Sequence, residues 1–133
     1  MKRILVAYDG GAPGRRALDT AIELARGIDA LVSVVSVVPR HAGRAPVDPW
    51  DDRAVHTEAL REARAILAEA GIAADYLEPA GDPATMIEKL VDEFGYDMVV
   101  LGSRGLGTVS RFLQGSVSEH VATHARATVV IAR

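Results

Sequence analysis

The stretch that decides the fold is Asp97-Met98-Val99-Val100-Leu101-Gly102-Ser103-Arg104-Gly105, continued ten residues on by Gly115-Ser116. Met98 to Leu101 is short, apolar and β-branched, whereas Phe112 to Thr123 has helical spacing. The glycines therefore stand at a junction from strand to helix. Glycine leaves no Cβ between backbone N–H groups and a ligand. Successive N–H groups in such a turn form a concave anion site, to which the following helix adds its positive N-terminal end. With glycine at about 7% of average usage, chance places Gly-x2-Gly-x9-Gly-[Ser/Thr] in roughly one chain of this length in a hundred or fewer. The spacing is read as signal, and this segment as the one most suited to a phosphate.

Outward from this junction, apolar strand-like runs alternate with amphipathic helical ones. Ile4 to Tyr8 reads as a strand, followed from near Pro13 by a helix with Ala17, Leu18, Ala21, Ile22 and Ala25 on one face. A second strand runs from Leu31 to Val38, and a helix from about Asp52 to Ala70 carries Val55, Leu60, Ala63, Ile66 and Leu67, with Gly71 as its C-terminal cap. A strand at Ala73 to Leu77 comes next. Asp82-Pro83 supplies an N-cap and first helical residue, and Met86, Ile87, Leu90, Val91 and Phe94 line that helix. Thr128 to Ile131 is the last strand. The sum is an α/β fold, a doubly wound five-stranded parallel sheet with four helices, in one domain spanning residues 1–133.

Unbroken apolar strands are the mark of a parallel sheet covered on both faces. Right-handed crossovers and the strand order 3-2-1-4-5 place the first and fourth strands side by side, with the chain leaving them towards opposite faces. Ligands bind beyond the carboxyl ends of strands at such a switch point. Asp9 and Gly102 would then border one crevice, the carboxylate meeting ribose hydroxyls and the backbone N–H groups meeting phosphates. The plainer readings are a turn or N-cap role for Asp9 and tight strand-to-helix packing for Gly102, Gly105 and Gly115. Ser116 either caps backbone or donates to a phosphate.

Composition narrows the partners. The 133 residues carry a formal charge of −3, with pI near 5.8. No Lys/Arg block supplies a footprint for nucleic acid. The chain has no cysteine, which excludes disulfides, cysteine-zinc sites and thiol catalysis. The N-terminus reaches a polar turn at Asp9 too soon for a signal peptide, and no apolar run approaches membrane-spanning length. The expectation is a cytoplasmic protein without membrane or nucleic-acid partners.

The whole chain resembles the universal stress proteins, from Ile4-Leu5-Val6-Ala7-Tyr8-Asp9-Gly10 and Arg16-Ala17-Leu18 through Gly81-Asp82-Pro83 to Gly102-Ser103-Arg104-Gly105 and Gly115-Ser116-Val117-Ser118. The nucleotide-binding branch of that family is similar in carrying the complete glycine pattern. The resemblance implies ATP, with magnesium, or a related adenine nucleotide. It implies that Asp9 meets the ribose or adenine and that Val37 and Leu101 flank the base. Gly102, Ser103, Arg104, Gly105, Gly115, Ser116 and Val117 would surround the phosphates. As bare sequence, Val37 and Leu101 are core residues. Many relatives have Ser or Thr where this chain has Gly11, and a Cys-Pro or similar pair where it has Ala127-Thr128. The resemblance also implies a homodimer paired through the last strand, Thr128 to Ala132, whose uncharged β-branched edge needs cover.

Hydrolysis is not favoured by the inventory. There is no Gly-x4-Gly-Lys-[Ser/Thr], Lys2 and Lys89 lie outside the glycine loop, and no second acid near that loop suggests a magnesium ligand. Arg104 and Arg111 are the nearest candidate cations. The expectation is a binding module with at most slow hydrolysis and no catalytic residues. His120 and His124 have the i, i+4 spacing that holds zinc, but no Glu follows His120 and no third ligand is visible in the sequence. They are read as favouring the helix dipole, and no metal site is expected. His41 and His56 are expected to be exposed. The stretch Pro39 to Trp50 is long enough for a lid, with Trp50 covering a base, meeting a partner or pegging the loop. A two-component receiver shares this fold class but wants paired acids after the first strand and a later Lys, which are missing. A nucleotide-free structural dimer of the same fold is the other alternative.

Overall fold

The computed structural model describes residues 2–40, 52–103 and 115–133. In chain order the elements are β1 (Arg3–Ala7), α1 (Ala12–Ile28), β2 (Leu31–Val35), β3 (Val38–Pro39), α2 (Arg53–Glu69), β4 (Ala74–Leu77) and β5 (Ala80–Gly81), then α3 (Pro83–Phe94), β6 (Met98–Gly102), α4 (Gly115–His124) and β7 (Thr128–Ala132). Five strands form a parallel sheet in the order β4-β2-β1-β6-β7. Numbered within that sheet alone, the order is 3-2-1-4-5.

The departure from expectation lies in two short extra strands. The second strand does not run unbroken to Val38: it ends at Val35, and β3 pairs with β5 in a separate two-stranded sheet. The reason is the loss of a neighbour. Tyr8 N still donates to Val35 O at 2.9 Å, but the chain then turns away at Gly10, φ 91°. Ser36 and Val38 donate instead to Leu77 O and Pro79 O, at 3.0 and 2.8 Å.

Period-two alternation sends the two sides of each strand into different cores. Ile4, Val6 and Tyr8 pack with α1 and α2, whereas Leu5 and Ala7 pack with α3 and α4. Burial on both faces explains why β1 reads as an unbroken apolar run. The inner face of α1 is Ala17, Leu18, Ala21, Ile22 and Ala25, all buried as the spacing requires. On α2 the buried positions are His56, Ala59, Ala63 and Leu67. His56 is thus fully buried rather than exposed, because it continues that helical stripe, and its Nδ1 lies 2.7 Å from the Ser36 hydroxyl. Ala84, Ile87, Leu90 and Val91 line α3, but Phe94, in its last turn, remains 43% exposed beside Tyr96.

Local chemistry fixes the helix ends. The Asp82 carboxylate accepts from Thr85 N at 3.1 Å and from its hydroxyl at 2.8 Å, with Pro83 as the first helical residue. The first turn of α2 is tied to the end of β4 through Glu78, which accepts from Arg53 Nη1 at 2.7 Å and from the Thr57 hydroxyl at 2.6 Å. Partial burial pushes the Glu78 carboxyl up, but donation by Thr57 and Arg53 and the Arg53 charge outweigh it and hold the group below its ordinary 4.5. A carboxyl lowered on folding contributes stability above its unfolded value, and that contribution is lost as pH falls through the folded value. Glu78→Gln is therefore expected to lower the melting temperature at neutral pH. The gap between native and variant should close as pH falls below about 4.5, and thermal melts across pH 3 to 7 check this.

Candidate functional site

The carboxyl ends of β1 and β6 lie side by side at the point where the sheet is wound in both directions. Val6 and Val100 are the last pair between the two strands, and Asp9 and Ser103 follow just beyond the ends of β1 and β6. Helices α1 and α2 cover one face here, α3 and α4 the other. The geometry of a switch-point crevice is thus present.

Asp9 is 1% exposed, and its Oδ1 accepts from Gly11 N at 2.9 Å, an Asx turn leading into α1. The positive φ of Gly10 makes room for that turn. Gly11 is the N-cap of α1 and gives it no side-chain hydrogen bond, so the Asp9 carboxylate secures the approach to the helix rather than its first-turn N–H groups. Beside Asp9 opens a cleft of about 450 Å³, walled by Gly10 and by Ala54, Val55, Glu58, Ala59 and Glu62 of α2. The Tyr8 hydroxyl donates to Glu62. Burial first, then the Glu62 bond and charge, push the Tyr8 phenol up, so it remains a donor. Asp9, Glu58 and Glu62 put three carboxylates along this cleft, of which Glu58 is paired with Arg61 at 3.7 Å.

At the carboxyl end of β6 the packing is built around Gly102. A Cβ at this position would lie 1.9 Å from the carbonyl oxygen of Pro13, so β6 meets the first turn of α1 at a distance only glycine permits. Ser103 is held by both of its backbone groups: its N–H donates to Ala132 O at 2.8 Å, and its carbonyl accepts from Arg16 Nη2 at 2.5 Å. The Nε of Arg16 is buried with no hydrogen-bond partner among the described residues. The buried Ser118 hydroxyl, in α4, donates to Gly102 O at 3.2 Å. The two ends of the glycine segment are thereby fastened together.

The sequence-derived site residues divide accordingly. Asp9 lines the cleft beside α2, whereas Gly102 and Ser103 stand at the end of β6 against Pro13 and Arg16. Gly115, Ser116 and Val117 form the start of α4, where the helix presents its positive end. Val117 is half-buried against the second core, and Val37 and Leu101 are fully buried within it. Arg104, Gly105 and Arg111, like His41 and Trp50, lie outside the described residues. Arg16 and Ser118 acquire their roles from the fold. Neither belongs to the glycine spacing, and only the path of α1 over β6 brings Arg16 to Ser103.

The family model described as the universal stress protein family matches residues 1–133. The chain belongs to the universal stress protein family. A protein named as a universal stress protein in Staphylococcus epidermidis is 30% identical over 140 residues, covering 99% of this chain and 84% of the relative. The universal stress protein UspA from Lactobacillus plantarum is similar in structure, with a TM-score of 0.82 and 26% identity over 99% of this chain and 97% of its own. The universal stress protein from Archaeoglobus fulgidus in complex with dAMP gives a TM-score of 0.69 and 26% identity, covering 100% of this chain and 98% of that one. Among the described residues no helix is long and apolar enough to cross a membrane.

Close contact at Gly102 makes a direct prediction. Gly102→Ala should lower stability by about 1–3 kcal/mol through overpacking against Pro13, read as a lower urea midpoint with native-like circular dichroism. An unchanged midpoint would mean that β6 and α1 separate without cost.

Proposed function

We propose that this universal stress protein is a cytoplasmic stress-response module that binds an adenine nucleotide, ATP with magnesium, at the crevice between Asp9 and the glycine segment. The observation carrying this reading is that buried Asp9 and the Gly102–Ser103 segment follow the carboxyl ends of the adjacent strands β1 and β6 at the switch point. The dAMP complex of the Archaeoglobus fulgidus relative supports it. Carboxylates of Glu58 and Glu62 disfavour phosphate on the α2 side and suit ribose hydroxyls. The phosphates belong at the other side, near the start of α4 and the Arg16 guanidinium. Asp9 meets the ribose or adenine, Val37 and Leu101 back the base, and Gly102, Ser103, Arg104, Gly105, Gly115, Ser116 and Val117 surround the phosphates. With at most slow hydrolysis, occupancy acts by shifting a population that a partner senses.

One observation favours a second reading, a nucleotide-free structural dimer. Gly102 is already required by its contact with Pro13, so this glycine needs no ligand to explain it. Thermal melts of protein first shown to carry no nucleotide from purification decide between the two. At about a hundredfold excess over Kd, Mg-ATP should add roughly 2.7 kcal/mol, and folded Gly115→Val should lose that response. No shift with ATP, ADP, AMP or cyclic AMP would leave the structural reading.

We further propose a homodimer through β7, an edge strand of the sheet. Thr128 N donates to Asp97 O, and Ala132 O accepts from Ser103 N. Alternation therefore turns the N–H and C=O groups of Val129 and Ile131 away from β6. Ile131→Pro removes one outward donor while sparing the pairing with β6. Light scattering should show a dimer in the native protein and a monomer in the variant, and a variant that stays dimeric would rule out strand pairing.

A further inference from the structure

His120 and His124 stand one turn apart on α4, and the fold brings them the third donor that their sequence neighbourhood lacks. Glu88 of α3 places Oε2 at 2.6 Å from His120 Nδ1. The two imidazole rings stack with centroids 4.2 Å apart and planes 22° from parallel. One donor atom from each of the three side chains lies within 4.8 Å of the other two.

A simple ion pair accounts for Glu88 and His120 but not for His124. Surface pairs of this kind contribute little, and two charged imidazoles held face to face would repel. His124 Nδ1 lies 2.9 Å from the His120 carbonyl oxygen. A carbonyl only accepts, so Nδ1 carries the proton of this bond and Nε2 is the nitrogen left to face a metal. That backbone bond is the support a metal-binding imidazole usually has. Glu88 is 21% exposed and His120 49%, which leaves the side chains room to rotate. Donors around a tetrahedral ion with bonds of about 2.0–2.1 Å lie about 3.3 Å apart, so the Glu88–His120 contact of 2.6 Å would open while separations of up to 4.8 Å would close.

We propose that Glu88, His120 and His124 form a binding site for a divalent transition-metal ion, with zinc as the ion best matched to two imidazoles and one carboxylate. Magnesium and calcium prefer all-oxygen sets. Three protein ligands leave a position for water. The site lies in the last turns of α4, at the opposite end of that helix from Gly115, so it is distinct from the metal that would accompany a nucleotide. Its structural effect is to clip α4 to α3.

Nucleotide-free protein, stripped with chelator and exchanged into clean buffer, is titrated with zinc chloride by calorimetry. One zinc per chain is expected at micromolar affinity or better, with Glu88→Gln and His124→Ala each weakening it at least about tenfold. Zinc should raise the melting temperature of the native protein more than that of either variant. In the native protein, the imidazole NMR signals of His120 and His124 should move on addition of zinc while those of buried His56 stay. This readout stands if a variant fails to fold. No uptake, binding unchanged in both folded variants, or unmoved His120 and His124 signals would overturn the site and leave an ion pair between helices.

Discussion

At Gly102 the last residue of β6 and the first turn of α1 approach until a hydrogen atom is all that fits between them. Much of the crevice depends on that approach. It lets α1 begin directly over the neighbouring strand, which brings Arg16 to the carbonyl of Ser103. It also leaves the carbonyl of Gly102 for Ser118, so the start of α4 is drawn to the same spot. The departures of the chain from β1 and β6 and its return into α4 are thus resolved within one small volume.

That volume is electrically divided. Asp9, Glu58 and Glu62 gather on the side of α2. The Arg16 guanidinium and the N-terminal end of α4 stand on the other. The Tyr8 hydroxyl strengthens the division, because its bond to Glu62 holds one of the carboxylates in place.

Elements with strong periodicity were legible in the sequence: the unbroken run of β1 announces a strand buried on both sides, and the alanine and leucine spacing of α1 announces its inner face. Asp82-Pro83 marks the start of α3 by chemistry that acts within three residues. What could not be read depends on distant parts of the chain. The break after Val35 follows from β1 turning away at Gly10. Burial of His56 follows from Ser36 waiting opposite, although the spacing His56, Ala59, Ala63 and Leu67 carried a usable signal. In the candidate site, Asp9 and the glycines stand out by residue type and spacing. Arg16, Ser118 and Glu88 are ordinary helix residues until packing sets them against Ser103, Gly102 and His120.

Alanine recurs along the inner faces of α1 and α2: 17, 21 and 25 on one helix, 59 and 63 on the other. Short side chains let these helices lie close to the sheet, with little slack beneath them. Such a surface is sensitive in both directions, but unequally. Losing a methyl costs about 1 kcal/mol because glycine loosens the helix backbone, whereas gaining one must push a whole helix outwards. Along this seam the sequence has almost no freedom to grow.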